Sequence, residues 1–381
     1  MKNFLSVLAL MFALSAVSQE TKTDTIQSAK LKEAREITIT LPASYHKDKN
    51  KKYPLLLLLD GDYLVDPFLG ALKYGNYWDD LPELIIVGIS QNKNNEREAD
   101  CTIDALSGLP EGKGEMFYEF LAAELLPSLQ KSYRIAPFKI IAGHDTTAAF
   151  LNFFLYKDDP LFEAYISMSP ELPLDMEKHI PERLAKITHP IFYYHSTADG
   201  DVKKMRSRII TLDAAAKVVK RPGLNYRFDE FVGASHYSLV LHSIPNALYH
   251  FFSAYQPISS AEFNEKIAKL PSGQVDYLIN RYAEMEKALG YSMQIRYNDF
   301  KAIEAAILKN KSYDEFDKLS NLAKKHYPNS MLADYHMAMM YEHTGDVKRA
   351  GKAYMNAYMK EEIGDLTKDM MFERADAIKK M

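Results

Sequence analysis

The five residues Gly143-His144-Asp145-Thr146-Thr147 stand between the apolar run Phe138-Lys139-Ile140-Ile141-Ala142 and a helix-like stretch from Ala148 to Phe154. Strand, sharp turn and helix in that order make a nucleophile elbow, written G-x-S-x-G, in which a strained turn lifts the central side chain above the sheet. Asp145 takes the central position, and Thr147 takes that of the second glycine. Such an elbow works with an acid after a later strand and a histidine near the end, in that chain order. Asp199 and His236 supply them, with Asp201 competing for the acid role. His236 lies in Gly233-Ala234-Ser235-His236-Tyr237-Ser238, between a strand-like run over 226–232 and a helix over 243–252. A loop at that place lets a base come within hydrogen-bond reach of a nucleophile. His189, His195 and His242 are scattered without ligand spacing, so no metal and no other cofactor is expected.

A carboxylate at the elbow changes the chemistry. A serine hydroxyl attacks a carbonyl while handing its proton to histidine, whereas Asp145 has no proton to hand over. Its attack on an ester would give a reactive anhydride. Displacement at an alkyl carbon, with His236 activating the second-step water, suits a carboxylate better. The elbow residue also needs a positive φ, costing about 1–3 kcal/mol, in a region that Asp tolerates better than most residues.

The elements that must position these groups follow from the apolar pattern. Residues 35–41 alternate like a half-buried strand. Leu55 to Leu59 and Leu84 to Ile89 are continuous apolar runs, as strands buried on both faces of a parallel sheet require. The helical spacing of Phe117, Phe120, Leu121, Leu125, Leu126 and Leu129 is followed by strands over 138–142, 164–168 and 191–194. Alternation of this kind predicts a doubly wound, mostly parallel α/β sheet over 30–256. After Tyr255-Gln256-Pro257 helical periodicity takes over, so residues 257–381 are expected to be all-helical. Within them, 331–358 reads as one tetratricopeptide-like hairpin, its two helices joined at Gly345-Asp346. Met337, Met339, Met340 and Met355 are expected to be packing material.

The ordered set of motifs resembles the putative-esterase family of α/β hydrolases, the group with esterase-D-like and enterochelin-esterase-like enzymes. It comprises Leu41-Pro42-Ala43-Ser44-Tyr45, Tyr53-Pro54, Leu59-Asp60-Gly61, Pro82-Glu83, Arg97 with Asp100, Tyr133-Arg134, Gly143-His144, Ser169-Pro170 and Gly233 to His236. The resemblance spans roughly 35–255 and implies an α/β-hydrolase fold with an ester-cleaving serine, an acid and a histidine. It also implies an oxyanion hole of backbone N–H groups, which would be those of Thr146 and Asp62 here. The departure is the serine itself, replaced by Asp145, together with Thr147 and Ala148 where the family carries paired glycines. Three readings result: a degenerate esterase that binds an ester-like small molecule, an active hydrolase using Asp145 or a His236-activated water, and a non-catalytic protein docking a partner through its helical tail.

Composition sets the remaining bounds. The 381 residues carry 47 Lys and Arg against 51 Asp and Glu, and no basic run marks a nucleic-acid surface. Lys2, the apolar run Phe4 to Leu14 and Ala16-Val17-Ser18 read as a cleavable signal peptide over 1–18, too short to span a membrane. A periplasmic or secreted protein with no membrane span in its mature form is expected. With Cys101 as the single cysteine, no intrachain disulfide can form.

Overall fold

The computed structural model describes residues 20–380, so the signal-peptide reading over 1–18 lies outside the described residues. Eight strands form one sheet: β1 (Glu20–Ser28), β2 (Glu33–Leu41), β3 (Tyr53–Leu58), β4 (Ile85–Ile89), β5 (Ile135–His144), β6 (Ala164–Met168), β7 (Ile191–Gly200) and β8 (Leu224–Ser235). Their order across the sheet is β1-β2-β4-β3-β5-β6-β7-β8. The pairs β1/β2 and β2/β4 are antiparallel, and every other neighbouring pair is parallel. This is the doubly wound, mostly parallel α/β sheet that the alternating pattern predicts, and it matches the α/β-hydrolase fold that the resemblance implies.

The apolar runs do what their composition demands. Every residue of β3, β4 and β6 is buried, because helices cover both faces. Leu55 and Leu57 enter one core cluster while Leu56 and Leu58 enter the other, as period-two alternation requires. The chain passes from β3 to β4 on one side and then returns to place β5 on the other. That reversal opens a crevice at the carboxyl ends of the central strands, where open α/β sheets bind ligands. The Gly61–Tyr77 helix starts at this edge, and its close approach to β4 depends on glycine. A Cβ on Gly61 would lie 2.6 Å from the backbone carbon of Gly88.

Strand β1 escaped the sequence reading, which started the sheet domain at residue 30. Its sequence ETKTDTIQS is exposed along almost its whole length. Nothing apolar therefore marks it. The predicted helix over 114–133 runs through Lys113–Glu119, a π-helical segment Phe120–Leu125 and Leu126–Ser132.

From Ser260 onward the structure is helical. The helices Gln274–Leu289, Tyr297–Asn310, Glu315–His326, Leu332–His343, Val347–Tyr358 and Lys368–Lys379 enclose a third core cluster of their own. The hairpin expected over 331–358 is present, with Gly345 at φ 82° and the Asp346 carboxylate capping the second helix through Arg349 N–H at 3.0 Å. Met339 is buried in that cluster, and Met337, Met340 and Met355 pack against it. This region is fastened to the sheet domain by Arg296, whose guanidinium lies 4.3 Å over the Tyr255 ring and pairs with Asp79. Among the described residues no helix is long and apolar enough to cross a membrane.

Candidate active site

The elbow residue Asp145 stands between β5 and the Thr146–Phe150 helix at φ 62° and ψ −120°. This corrects the expectation that aspartate eases the turn. Its tolerance extends to left-handed helical angles, whereas a ψ of −120° lies in territory that essentially only glycine enters freely. The surroundings hold it there. Asp145 N–H donates to the Met168 carbonyl at 2.9 Å, and the Asp145 carbonyl accepts from Ala149 and Glu171 at 3.1 and 3.2 Å. Gly143 is required, because a Cβ there would meet the Thr147 hydroxyl at 2.7 Å and its backbone at 2.9 Å.

Thr147, which replaces the expected glycine, is fully buried and fills that space usefully. Its hydroxyl accepts from His144 N–H at 3.0 Å and donates to the Asp60 carboxylate at 2.5 Å. Asp60, at the end of β3, also accepts from Arg97 Nε at 2.6 Å and from the Tyr63 hydroxyl at 2.8 Å. Arg97 then reaches the elbow, donating to the His144 carbonyl at 2.8 Å and to Asp145 Oδ2 at 3.4 Å. A buried carboxylate thus holds an arginine, and the arginine holds the elbow. The sequence reading placed Arg97 among the motifs but assigned it no role. Asp100, named with it in that motif, pairs instead with the buried Arg35.

His236 follows β8, with its Nε2 3.9 Å from Asp145 Oδ1. That separation exceeds a hydrogen bond, so the two groups meet as charges. The acid behind the histidine is Asp201, not Asp199. His236 Nδ1 lies 2.7 Å from Asp201 Oδ1, and the other carboxylate oxygen accepts from Ser169 and Thr197 hydroxyls at 2.7 Å each. The chain bends after Ala198, with Asp201 N–H bonded to the Ala198 carbonyl, and this swings Asp201 back under the loop. Asp199 remains exposed and accepts from Gly233 N–H at 2.8 Å, steadying the loop that carries His236. His144 gains a positioning role: its Nε2 donates to the His236 carbonyl at 3.0 Å, with ring centroids 4.7 Å apart.

The charges are mutually supporting. The hydrogen bond to Asp201 leads in raising the His236 pKa above 6.5, against burial and with help from the Asp145 charge. Burial pushes the Asp201 carboxyl up, but bonds from His236, Thr197, Ser169 and Val202 N–H outweigh it and hold the pKa at about 2. His144 is lowered, chiefly by burial, and is the neutral member of the pair.

The sign of the pH dependence follows. The raised His236 contributes stability that is complete below its unfolded value of 6.5 and is lost as pH rises through its folded value. The depressed Asp201 contributes stability that is complete above 3.8 and is lost as pH falls toward about 2. Both contributions are therefore whole between 3.8 and 6.5. Thermal melts across pH 5–9 are expected to show His236→Gln losing stability most at pH 5 and least at pH 9. An equal loss throughout would show that the imidazolium is not what matters.

The amides expected to form an oxyanion hole lie at two helix starts. Thr146 opens the Thr146–Phe150 helix and Asp62 is second in the Gly61–Tyr77 helix, so both belong to first turns whose N–H groups lack intrahelical partners. The Asp62 carboxylate is engaged elsewhere, accepting from Ser90, Gln91 and Asn92. Among the described residues no group of three His, Cys, Asp or Glu side chains is placed to hold a metal ion.

Residues 28–173 match the family model described as Putative esterase. Over those residues the chain is similar to that family. An uncharacterised protein from Capnocytophaga ochracea is similar along nearly the whole chain, at 27% identity and a TM-score of 0.84, covering 95% of this chain and 100% of its own. The helical region is thus common to both. An IroE-like serine hydrolase from Shewanella oneidensis superposes with a TM-score of 0.60 at 20% identity, over 80% of this chain and 99% of that one. The BES protein from Bacillus cereus gives 0.52 at 21%, over 61% and 94%. Both share the fold of this domain. No curated protein matches the chain in sequence.

Proposed function

We propose that this esterase-family α/β-hydrolase is an exported protein that binds an ester-like small molecule at the elbow and turns it over poorly or not at all. One observation carries the reading: Asp145 lies between the cations Arg97 and His236 at 3.4 and 3.9 Å. A carboxylate held by arginine is a dulled nucleophile, and it stabilises imidazolium where a serine mechanism needs a neutral base. In support, His236 beside it is hydrogen-bonded to Asp201, and Thr146 opens the helix that follows Asp145. Export rests on the leader-like sequence over 1–18.

The test is turnover of p-nitrophenyl butyrate by the wild type beside Asp145→Asn. Equal, feeble rates of the size that an oxyanion hole and binding alone supply are expected. A wild-type rate that Asp145→Asn abolishes would make the carboxylate a working nucleophile and replace this reading with that of an active hydrolase.

A further inference from the structure

The Gly61–Tyr77 helix begins at the elbow and, at 1.5 Å per residue, ends about 25 Å away at the opposite edge of the sheet. There Tyr74, Tyr77 and Trp78 are 66%, 79% and 59% exposed, and Trp78 is the only tryptophan in the chain. Their spacing of three and four residues puts them on one side of the helix end, with the Tyr77 and Trp78 rings at 84° and 5.0 Å. Large exposed aromatic groups clustered on a folded surface mark a binding site more often than single exposed residues do. Tyr77 lines a cavity of about 530 Å³, which shares Lys51, Asp79 and Tyr255 with a second of about 640 Å³, so one trough runs from Tyr77 along the junction with the helical region.

The charge of this corner is opposite to that of the chain, whose net charge is −4. Loop 47–52 brings Lys47, Lys49, Lys51 and Lys52 against the single Asp48, while Lys73 and Arg296 line the trough. Of the carboxylates nearby, Asp79 is held by Arg296, Glu83 by Lys51, and Asp80 accepts from Tyr249. Lys52 and Lys73 are exposed and make no ion pair among the described residues. None of the exposed aliphatic side chains lies in segment 73–80 or loop 47–52.

We propose that this corner is a binding site for an acidic polysaccharide, separate from the elbow. A pyranose ring lays its weakly positive C–H face on the electron-rich face of an aromatic ring, while its carboxylates find lysine. The trough that passes from Tyr77 and Lys73 to Lys51 and Lys52 gives an extended anionic chain a continuous track, which a flat membrane surface would not enter.

Titration of the full chain with polygalacturonate, read by the fluorescence of Trp78, tests the site directly because no other tryptophan contributes. Saturable change that weakens with added salt is expected, with no response to neutral dextran. Trp78→Ala, read by co-sedimentation, and Lys73→Gln, read by fluorescence, are each expected to weaken binding about tenfold. Absence of binding overturns the proposal, as does binding that survives both substitutions or an equal response to dextran. A Trp78 response to vesicles containing phosphatidylglycerol but not to the polymer would make the corner a membrane contact and overturn it too.

Discussion

Replacing Asp145 by serine is expected to raise p-nitrophenyl butyrate turnover about 10²–10⁴-fold over the wild type, the range that a positioned general base contributes. Two effects act together. The substitution supplies a hydroxyl that can attack while passing its proton on. It also removes the Asp145 charge, one of the influences that raise the His236 pKa. Asp201 stays on Nδ1 at 2.7 Å and fixes the ring with Nε2 toward the elbow. The helix-end amides of Thr146 and Asp62 need no change. If Asp145→Ser folds, by its melting curve, and still fails to exceed the wild type, then base and amides are not assembled for acyl transfer. The proposal of a disarmed esterase would then fall.

Arg97→Leu is expected to be the most destabilising change at the site, costing about 3–5 kcal/mol, as loss of one partner from a buried ion pair does. Asp60 is fully buried, and Arg97 supplies its charge partner at 2.6 Å. The hydroxyls of Tyr63 and Thr147 would remain as donors but carry no charge. For a domain of this size the loss corresponds to a drop in Tm of about 10 °C. Adding Asp60→Asn to Arg97→Leu removes the stranded charge and is expected to recover part of that loss. A single variant that melts within 2 °C of the wild type, or a double variant no better than the single, would show that the pair does not hold the elbow.

How much of this was legible before folding depends on the kind of signal. Leu55 to Leu59 and Ile85 to Ile89 announce buried strands because burial on both faces leaves no polar position, and the structure buries every one of them. The elbow and His236 could be read because a strand–turn–helix pattern and a loop after the last strand constrain them locally. Asp199 and Asp201 could not be separated in that way. They are two residues apart, and what distinguishes them is the bend after Ala198, which no apolar pattern records. Thr147 stands where a glycine is expected, and its hydroxyl ties Asp60 to the elbow across 87 residues of sequence. Arg97 was hidden for the same reason, its partners Asp60 and Asp145 lying 37 and 48 residues away. Long-range polar pairing leaves no periodic trace.

The polar character that hid β1 has a consequence of its own. A sheet with two open sides is a template on which further strands can add, and exposed edges are where folded proteins begin to aggregate. Here one side is closed by β1, where Glu20, Lys22 and Asp24 face solvent, and the other by β8, which carries Arg227, Asp229 and Glu230. An incoming strand would have to bring its backbone alongside charged side chains and strip their water. The fully apolar strands lie in the middle of the sheet, where no unpaired backbone is offered. The molecule therefore sets charged side chains along both outer strands and keeps its most adhesive segments between them.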